Sequence, residues 1–352
     1  MSYLRNAWYV AALSSELKDN VISRELLGKQ MMICRMGDGV AVLEDSCPHR
    51  FAPLSRGKRH DASIECGYHG LRFDRMGKCV LNPHGDGRAP ARAQVTAWPT
   101  MERYGFIWFW PGDPSMADPS LIPAYPFNAD PTTFAVVYGY IDVAANYQLL
   151  VDNLLDLSHV EYLHPLFAQP GGVAAHQTSF AVDGATVMSR RLKPNVEIQG
   201  LARFFWTSPS KRFDARSNMT WMPPSALIFD LGGTECGAPE AEGVCLPNAH
   251  LVTPANELRS HYFWSIARNR RIDDLEASEK LQSVTQNIFL TEDIPMVEAQ
   301  QRNIGSVTDI LSLRPVTLEP DAPAVRARLI LADLIKCEAE EGSAACSGTA
   351  TP

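Results

Sequence analysis

The sequence predicts an α+β fold in two parts: an all-β N-terminal domain over residues 1–115, and a larger domain over 116–335 combining an antiparallel sheet with helices. Three observations predict it. The first 115 residues alternate apolar and polar side chains in short runs, such as VISRELLGKQMMICRM and GVAVLED, separated by turn signals such as Gly37-Asp38-Gly39. A stretch rich in proline and aspartate, DPSMADPSLIPAYPFNADP, follows and reads as a linker. Beyond it, strand-like runs are interrupted by two stretches of helical character.

In chain order, RYGFIWFWPGDP reads as a strand ended by a turn at Gly112 and Pro114. FAVVYGYIDV reads as the first strand of the second domain, and residues 145–164 as helical. Residues 176–266 read as strands, among them SALIFDLGG, NAHLVTP and SHYFWSIA. Residues 273–303 read as one long helix, with Asp273 and Asp274 near its N-terminus, where negative charge suits the helix dipole. The tail 336–352 is small and polar and is expected to be disordered. No internal repeat is evident.

The 352 residues are 45% apolar and 20% charged, enough to bury a sizeable core. The net charge of −8 argues against nucleic acid as a partner, which needs a basic patch. The run Arg268 to Arg271 reads as a solvated surface stretch. No window approaches the roughly 18 apolar residues that span a membrane. The start, MSYLRNAWYVAAL, lacks the pattern of a signal peptide, so a cytoplasmic protein is expected. Eight cysteines in such a chain do not read as a disulfide framework.

Two of those cysteines sit beside histidines at metal-ligand spacing: Cys47-x-His49, then sixteen residues, then Cys66-x-x-His69. A Rieske [2Fe–2S] cluster needs this inventory, two thiolates on one iron and two imidazoles on the other. Tetrahedral zinc also accepts two cysteines and two histidines, but zinc fingers place both cysteines first and both histidines later. Here each loop supplies one of each. Cys79 and His84 break the spacing and read as non-ligands.

The chain resembles the Rieske non-haem iron oxygenases, most closely the subgroup of vanillate O-demethylase oxygenase subunits and dicamba monooxygenase. The resemblance covers nearly the whole chain: NAWYVAA at 6–12, CPHRFAPLS at 47–55, CGYHGLRFD at 66–74, NYQLLVDNLLDLSHVEYLH at 146–164 and HYFWSIARN at 261–269. It implies a helix-grip-like catalytic domain after the Rieske domain.

A cluster that only passes electrons needs an acceptor, and His159 and His164 supply two imidazoles of a 2-His-1-carboxylate Fe(II) site. Five residues on an ideal helix turn about 500°, leaving the pair about 140° out of register. A shared ion therefore requires the helix to end or distort between them. Pro165 disfavours helical geometry at His164. Without a cluster in the same chain, two unrelated helical histidines would be the plainer reading. The carboxylate lies elsewhere, and NIFLTEDIPMVEAQQ offers Glu292, Asp293 and Glu298. Asp293 shares a stripe with Phe289 and Val297, Glu292 one with Ile288 and Met296, so periodicity does not decide. The resemblance selects Asp293.

The resemblance also implies that Asp156 links His69 of one copy to a mononuclear-site histidine of the next in a head-to-tail homotrimer, and that Asn153 lies near the iron. Helix-face hydrogen bonding is the plain alternative for Asp156. The implied function is the terminal oxygenase component of a multicomponent monooxygenase, most simply O-demethylating a methoxylated aromatic acid with O₂. Electrons come from a separate reductase carrying flavin and a ferredoxin-type cluster, since neither is evident here. His250 matches a substrate-carboxylate contact of dicamba monooxygenase, with core hydrogen bonding as the plain alternative. Phe229 stands where that enzyme has its other polar substrate contact, which argues against the same substrate. Phe204, Phe205 and Trp206 line a pocket or fill core. Rival readings are a methyl hydroxylase of the toluenesulfonate type and an electron carrier with a Rieske cluster alone.

Overall fold

A computed structural model of the chain describes residues 3–166, 177–198 and 200–347. The chain divides into two compact units: Tyr3–Ile122 with Thr253–Asn256, and Pro123–Val252 with Glu257 onward. The division falls inside the proline-rich stretch, later than the expected 115/116. Its first turns are tied to the N-terminal unit, through Trp8 Nε1 to Asp118 O at 2.8 Å and Asp113 N to Asn6 Oδ1 at 2.8 Å.

The N-terminal unit contains ten strands: β1 (Tyr9–Leu13), β2 (Ile22–Leu26), β3 (Lys29–Met36), β4 (Gly39–Glu44), β5 (Lys58–Arg59), β6 (Ile64–Glu65), β7 (Arg72–Phe73), β8 (Cys79–Leu81), β9 (Thr100–Arg103) and β10 (Phe106–Phe109). They form three small sheets, ordered β1-β10-β9, β2-β3-β4 and β5-β6-β7-β8. Alternation along β3 and β4 puts Met32, Cys34, Ala41 and Leu43 into one buried cluster with Cys47, Cys66 and Cys79. The loops after β4 and β6 thus start from a closed core.

The second unit is built on a seven-stranded antiparallel sheet. Its strands are β11 (Ala135–Val143), β12 (Gln177–Asp183), β13 (Thr186–Glu197), β14 (Arg212–Met222), β15 (Ala226–Thr234), β16 (Val244–Asn256) and β17 (Arg259–Arg268). Their order is β11-β17-β16-β15-β14-β13-β12, a meander that β11 closes by pairing with β17. The helices are α1 (Tyr147–Leu155), α2 (Val160–Leu163), α3 (Ala202–Phe205), α4 (Leu275–Ile288), α5 (Ile294–Ile304) and α6 (Ala322–Ser347). The expected α+β class and sheet architecture hold.

Residues 145–164 are helical in pieces: α1 stops at Asp156, a 3₁₀ turn covers Leu157–His159, and α2 follows. Two sequence expectations need correction. Residues 273–303 are two helices joined by a π-turn, Phe289–Asp293. The tail is helical rather than disordered through Ser347, because alanine and glutamate carry high helix propensity. Residues 348–352 lie outside the described residues. No helix is long and apolar enough to cross a membrane among the described residues.

Helix α6 also holds α1 in place. Buried Arg328 donates from Nε to both Asp152 oxygens at 2.9 Å, from Nη2 to Asp152 Oδ2 at 2.7 Å, and from Nη1 to Gln148 Oε1 at 2.7 Å. Gln148 and Asp152 are one turn apart, so one planar guanidinium clamps one face of α1.

Candidate metal centres

The first candidate centre lies in the N-terminal unit. The loops 47–52 and 66–71 repeat one backbone pattern. Cys47 N donates to Ala52 O at 2.9 Å and Phe51 N to Cys47 O at 2.8 Å; Cys66 N donates to Leu71 O at 2.8 Å and Gly70 N to Cys66 O at 2.9 Å. The fifth residue of each loop is left-handed, Phe51 at φ 57° and Gly70 at φ 74°. At Gly70 a Cβ would also meet Pro83 Cγ at 3.1 Å. A non-glycine residue in this region is uncommon, and the loop holds Phe51 there while its ring lies in solvent.

This repeat points both cysteines inward and both histidines outward. Cys47 and Cys66 are buried, while His49 is exposed and His69 half-buried. The His49 and His69 rings lie 4.5 Å apart. Burial pushes the Cys47 thiol above its ordinary range, and the neighbouring Cys66 thiol adds to this. Two buried thiols become thiolates only beside compensating positive charge, which iron supplies. Burial and then the His49 and Arg50 charges lower the proton affinity of His69, favouring the neutral imidazole that a metal needs. His84 Nε2 meets the His69 carbonyl at 2.8 Å, and Cys79 Sγ donates to Leu81 O at 3.4 Å. Asp45 braces the first loop, accepting from Ser55 N at 2.7 Å, Ser55 Oγ at 2.6 Å and Ser23 Oγ at 2.7 Å.

The second candidate centre lies in the larger unit. The register problem is met by a 3₁₀ turn, Leu157–His159, that runs into the single turn of α2, which His164 ends in extended geometry. Asp156 ends α1 in extended geometry, and its carboxylate caps the next turn through Ser158 N at 2.7 Å. His164 ends α2 at φ −112°, before Pro165. The two rings then sit 5.1 Å apart, and both Nε2 atoms lie 3.4 Å from Asp293 Oδ1. Ligands ~2.1 Å from one ion and at right angles lie ~3 Å apart, so the three donors fit a shared cation. One donor atom from each lies within 4.8 Å of the others.

Burial alone would raise the Asp293 pKa, but hydrogen bonds and charge from His159 and His164 bring it down to about 2. The carboxylate therefore stays ionised and asks for positive charge. Burial works against protonating His164, yet Asp293 and Glu292 together raise its proton affinity. Asn153 Nδ2 donates to Asp293 Oδ1 at 3.2 Å. Glu292 lies on the other side of His164, at 2.6 Å from Nδ1. Glu298 is elsewhere, accepting from Ala144 N at 2.9 Å. The Asp156 carboxylate does not meet His159; the Asp156 main-chain oxygen does, 2.5 Å from Nδ1.

These donors wall a cavity of about 200 Å³, with Leu157, Val160, Met219 and Leu231 among its apolar lining. His250 is on the wall and fully buried. Its Nδ1 lies 2.7 Å from Tyr262 OH, and its Nε2 has no partner among the described residues. Burial pushes its pKa down to about 3, against the pull of Asp293, so His250 is neutral. Phe229 also lines the cavity, its ring 6.2 Å from that of His250. Phe204 and Phe205 line a separate cavity of about 110 Å³, and Trp206 packs on Phe213. Arg268 is not a surface cation; it is fully buried and donates to Arg271 O at 2.8 Å and Asp274 O at 2.6 Å.

The N-terminal unit matches the Rieske [2Fe-2S] domain over residues 7–99, and residues 143–337 match the C-terminal domain of vanillate O-demethylase oxygenase. The dicamba O-demethylase oxygenase component of Stenotrophomonas maltophilia is 38% identical, over 96% of this chain and all of that one. The vanillate O-demethylase oxygenase subunit of Pseudomonas sp. (strain HR199 / DSM 7063) is 33% identical, over 97% of each. A crystal structure of dicamba monooxygenase bound to 3,6-dichlorosalicylic acid superposes with a TM-score of 0.90 at 36% identity, covering 96% of this chain and 99% of that one. The chain belongs to the Rieske non-haem iron oxygenases. It is a monooxygenase whose cofactors are a Rieske [2Fe–2S] cluster and a mononuclear iron.

For a Rieske oxygenase, the cavity also holds charged residues that the sequence reading missed: Arg191, Lys193, Arg216 and Glu161. Lys193 Nζ reaches Glu161 Oε1 at 2.5 Å, and Arg216 Nε reaches Asp230 Oδ1 at 2.9 Å. Strand parity was the available signal, since Arg191 and Lys193 are two apart and share a face of β13.

Asp293→Ala is expected to lose the mononuclear iron and all turnover while the reduced cluster keeps its low-average-g EPR signal. If Asp293→Ala kept its iron and turnover while Glu292→Ala lost both, Glu292 would be the ligand instead.

Proposed function

We propose that this oxygenase O-demethylates a methoxylated aromatic acid with O₂, on electrons from a separate reductase that carries flavin and a ferredoxin-type cluster. The supporting observation is one mainly apolar cavity with the His159/His164/Asp293 donors on its wall and, on the same wall, a neutral His250 whose Nε2 has no partner among the described residues. In this reading Cys47 and Cys66 hold one iron of the cluster and His49 and His69 the other. When bound, the mononuclear iron supplies activation of O₂ with electrons received from the cluster.

The protein groups do the rest. Asn153 restrains Asp293, and the Asp156 carbonyl fixes His159 with its proton on Nδ1. His250 orients an oxygen of the substrate, and the apolar walls exclude water from the reacting methyl group. Hydroxylation of a methoxy carbon gives a hemiacetal, which collapses to a phenol and formaldehyde. A screen of methoxylated aromatic acids with a reductase and NAD(P)H should give O₂ uptake matched by formaldehyde. Uptake with a hydroxymethyl product from methylarenes, and no formaldehyde from any methoxyarene, would make the chain a methyl hydroxylase.

Asp156 also serves the electron path in this proposal, within a cytoplasmic homotrimer. Two of its four acceptor positions are used by Ser158 N and Ser158 Oγ. The remaining ones suit the N–H of His69 from a neighbouring copy. Asp156→Asn keeps shape and removes charge. Both metal sites should still fill and the reductase should still reduce the cluster, while reoxidation with substrate and O₂ slows at least ~10-fold, in line with losing an outer-shell carboxylate. Stopped-flow absorbance reads this. Wild-type reoxidation in a metal-replete variant would refute the bridge.

A further inference from the structure

His159 and His164 are held by different groups. Each presents Nε2 to Asp293 Oδ1 at 3.4 Å, so each must carry its proton on Nδ1 to offer a lone pair. A peptide carbonyl secures this at His159, where Asp156 O lies 2.5 Å from Nδ1. A carboxylate secures it at His164, where Glu292 Oε2 lies 2.6 Å from Nδ1. Glu292 and Asp293 are consecutive, yet they bracket one imidazole from opposite sides. The π-turn over Phe289–Asp293 delivers both, by widening the helix where the two acids leave it.

We propose that Glu292 is a positioning residue for the mononuclear iron, acting through His164 as a charged partner and not only as a hydrogen-bond acceptor. The inference rests on His159, His164 and Asp293 as the ligand set. A carboxylate on the far nitrogen strengthens an imidazole donor and fixes its plane. It also changes the charge count. Asp293 alone leaves a divalent ion with one net positive charge; Glu292 brings the site with its nearest partner to neutrality. This matters because His164 and Asp293 are both buried, where an uncompensated charge is costly. Glu292 is itself three-quarters covered, with 25% of its side chain exposed, so solvent only partly screens it. His159 has a neutral partner, which makes His164 the stronger donor of the pair.

The plain alternative is that a buried histidine needs some acceptor and Glu292 happens to be it. Glu292→Gln separates the two, because the glutamine carbonyl still accepts from Nδ1 while the charge is gone. The experiment uses the full chain with its cluster assembled and the mononuclear site depleted, titrated anaerobically with Fe(II) by equilibrium dialysis. Near-infrared circular dichroism of the Fe(II) ligand-field bands is recorded alongside. Expected for Glu292→Gln is unchanged thermal stability, Fe(II) affinity weaker by about 10- to 100-fold, and shifted ligand-field bands. Wild-type affinity and bands in Glu292→Gln overturn the proposal. Asp293→Ala runs in parallel: if it binds Fe(II) as the wild type does, the ligand set fails and the inference falls with it, distinguishably from a failure at Glu292 alone.

Discussion

The larger unit depends on one constraint: two imidazoles five residues apart must turn the same nitrogen toward one carboxylate. A continuous helix cannot do this. The chain resolves it with a 3₁₀ turn at Leu157–His159 and extended geometry at His164, while Asp156 caps that turn with its side chain and holds His159 with its carbonyl. His164 then falls at the end of α2, where Pro165 already forbids more helix. Arg328 keeps α1 from relaxing this arrangement, since its four hydrogen bonds fix the helix from the side carrying Gln148 and Asp152. Asn153, one residue on from Asp152, is thereby held within reach of Asp293.

The N-terminal unit meets its own constraint by repetition. One six-residue hydrogen-bonded loop, used twice, gives two buried thiols and two outward imidazoles. That polarity suits an electron carrier: Cys47 and Cys66 would hold one iron from the buried side and His49 and His69 the other from the solvent side, where a partner can approach. The left-handed residue that the loop demands is glycine in one copy and Phe51 in the other.

Local chemistry was legible in the sequence, and non-local chemistry was not. The Cys/His spacing named its cluster without help from the fold, because each pair lies within one loop. That the helix must end or distort by His164 was also readable, since a regular helix leaves the two imidazoles about 140° out of register. The choice between Glu292 and Asp293 was not readable from periodicity, because a π-turn abolishes the 3.6-residue period at the point where it was being applied. Resemblance selected Asp293 and left Glu292 open, and the fold gives Glu292 the opposite face of the same histidine. Arg268 was misread because a run of like residues suggested a surface, while its place at the end of β17 buries it. The helical tail was misread because its small residues suggest disorder, although alanine and glutamate also favour helix. Arg191, Lys193 and Arg216 come to share a cavity with His159, His164 and Asp293 only through the sheet, which no local pattern encodes.

Two separate iron sites in one chain are the centre of this account, and the metal content of the purified protein tests them most directly. Iron and acid-labile sulfide should be measured on the same iron-replete, aerobically and anaerobically prepared samples. A [2Fe–2S] cluster with a mononuclear iron predicts three irons and two sulfides per chain. Two irons and two sulfides, with no further iron taken up on anaerobic addition of Fe(II), would reduce the protein to an electron carrier and contradict the account; zinc without sulfide would contradict it entirely.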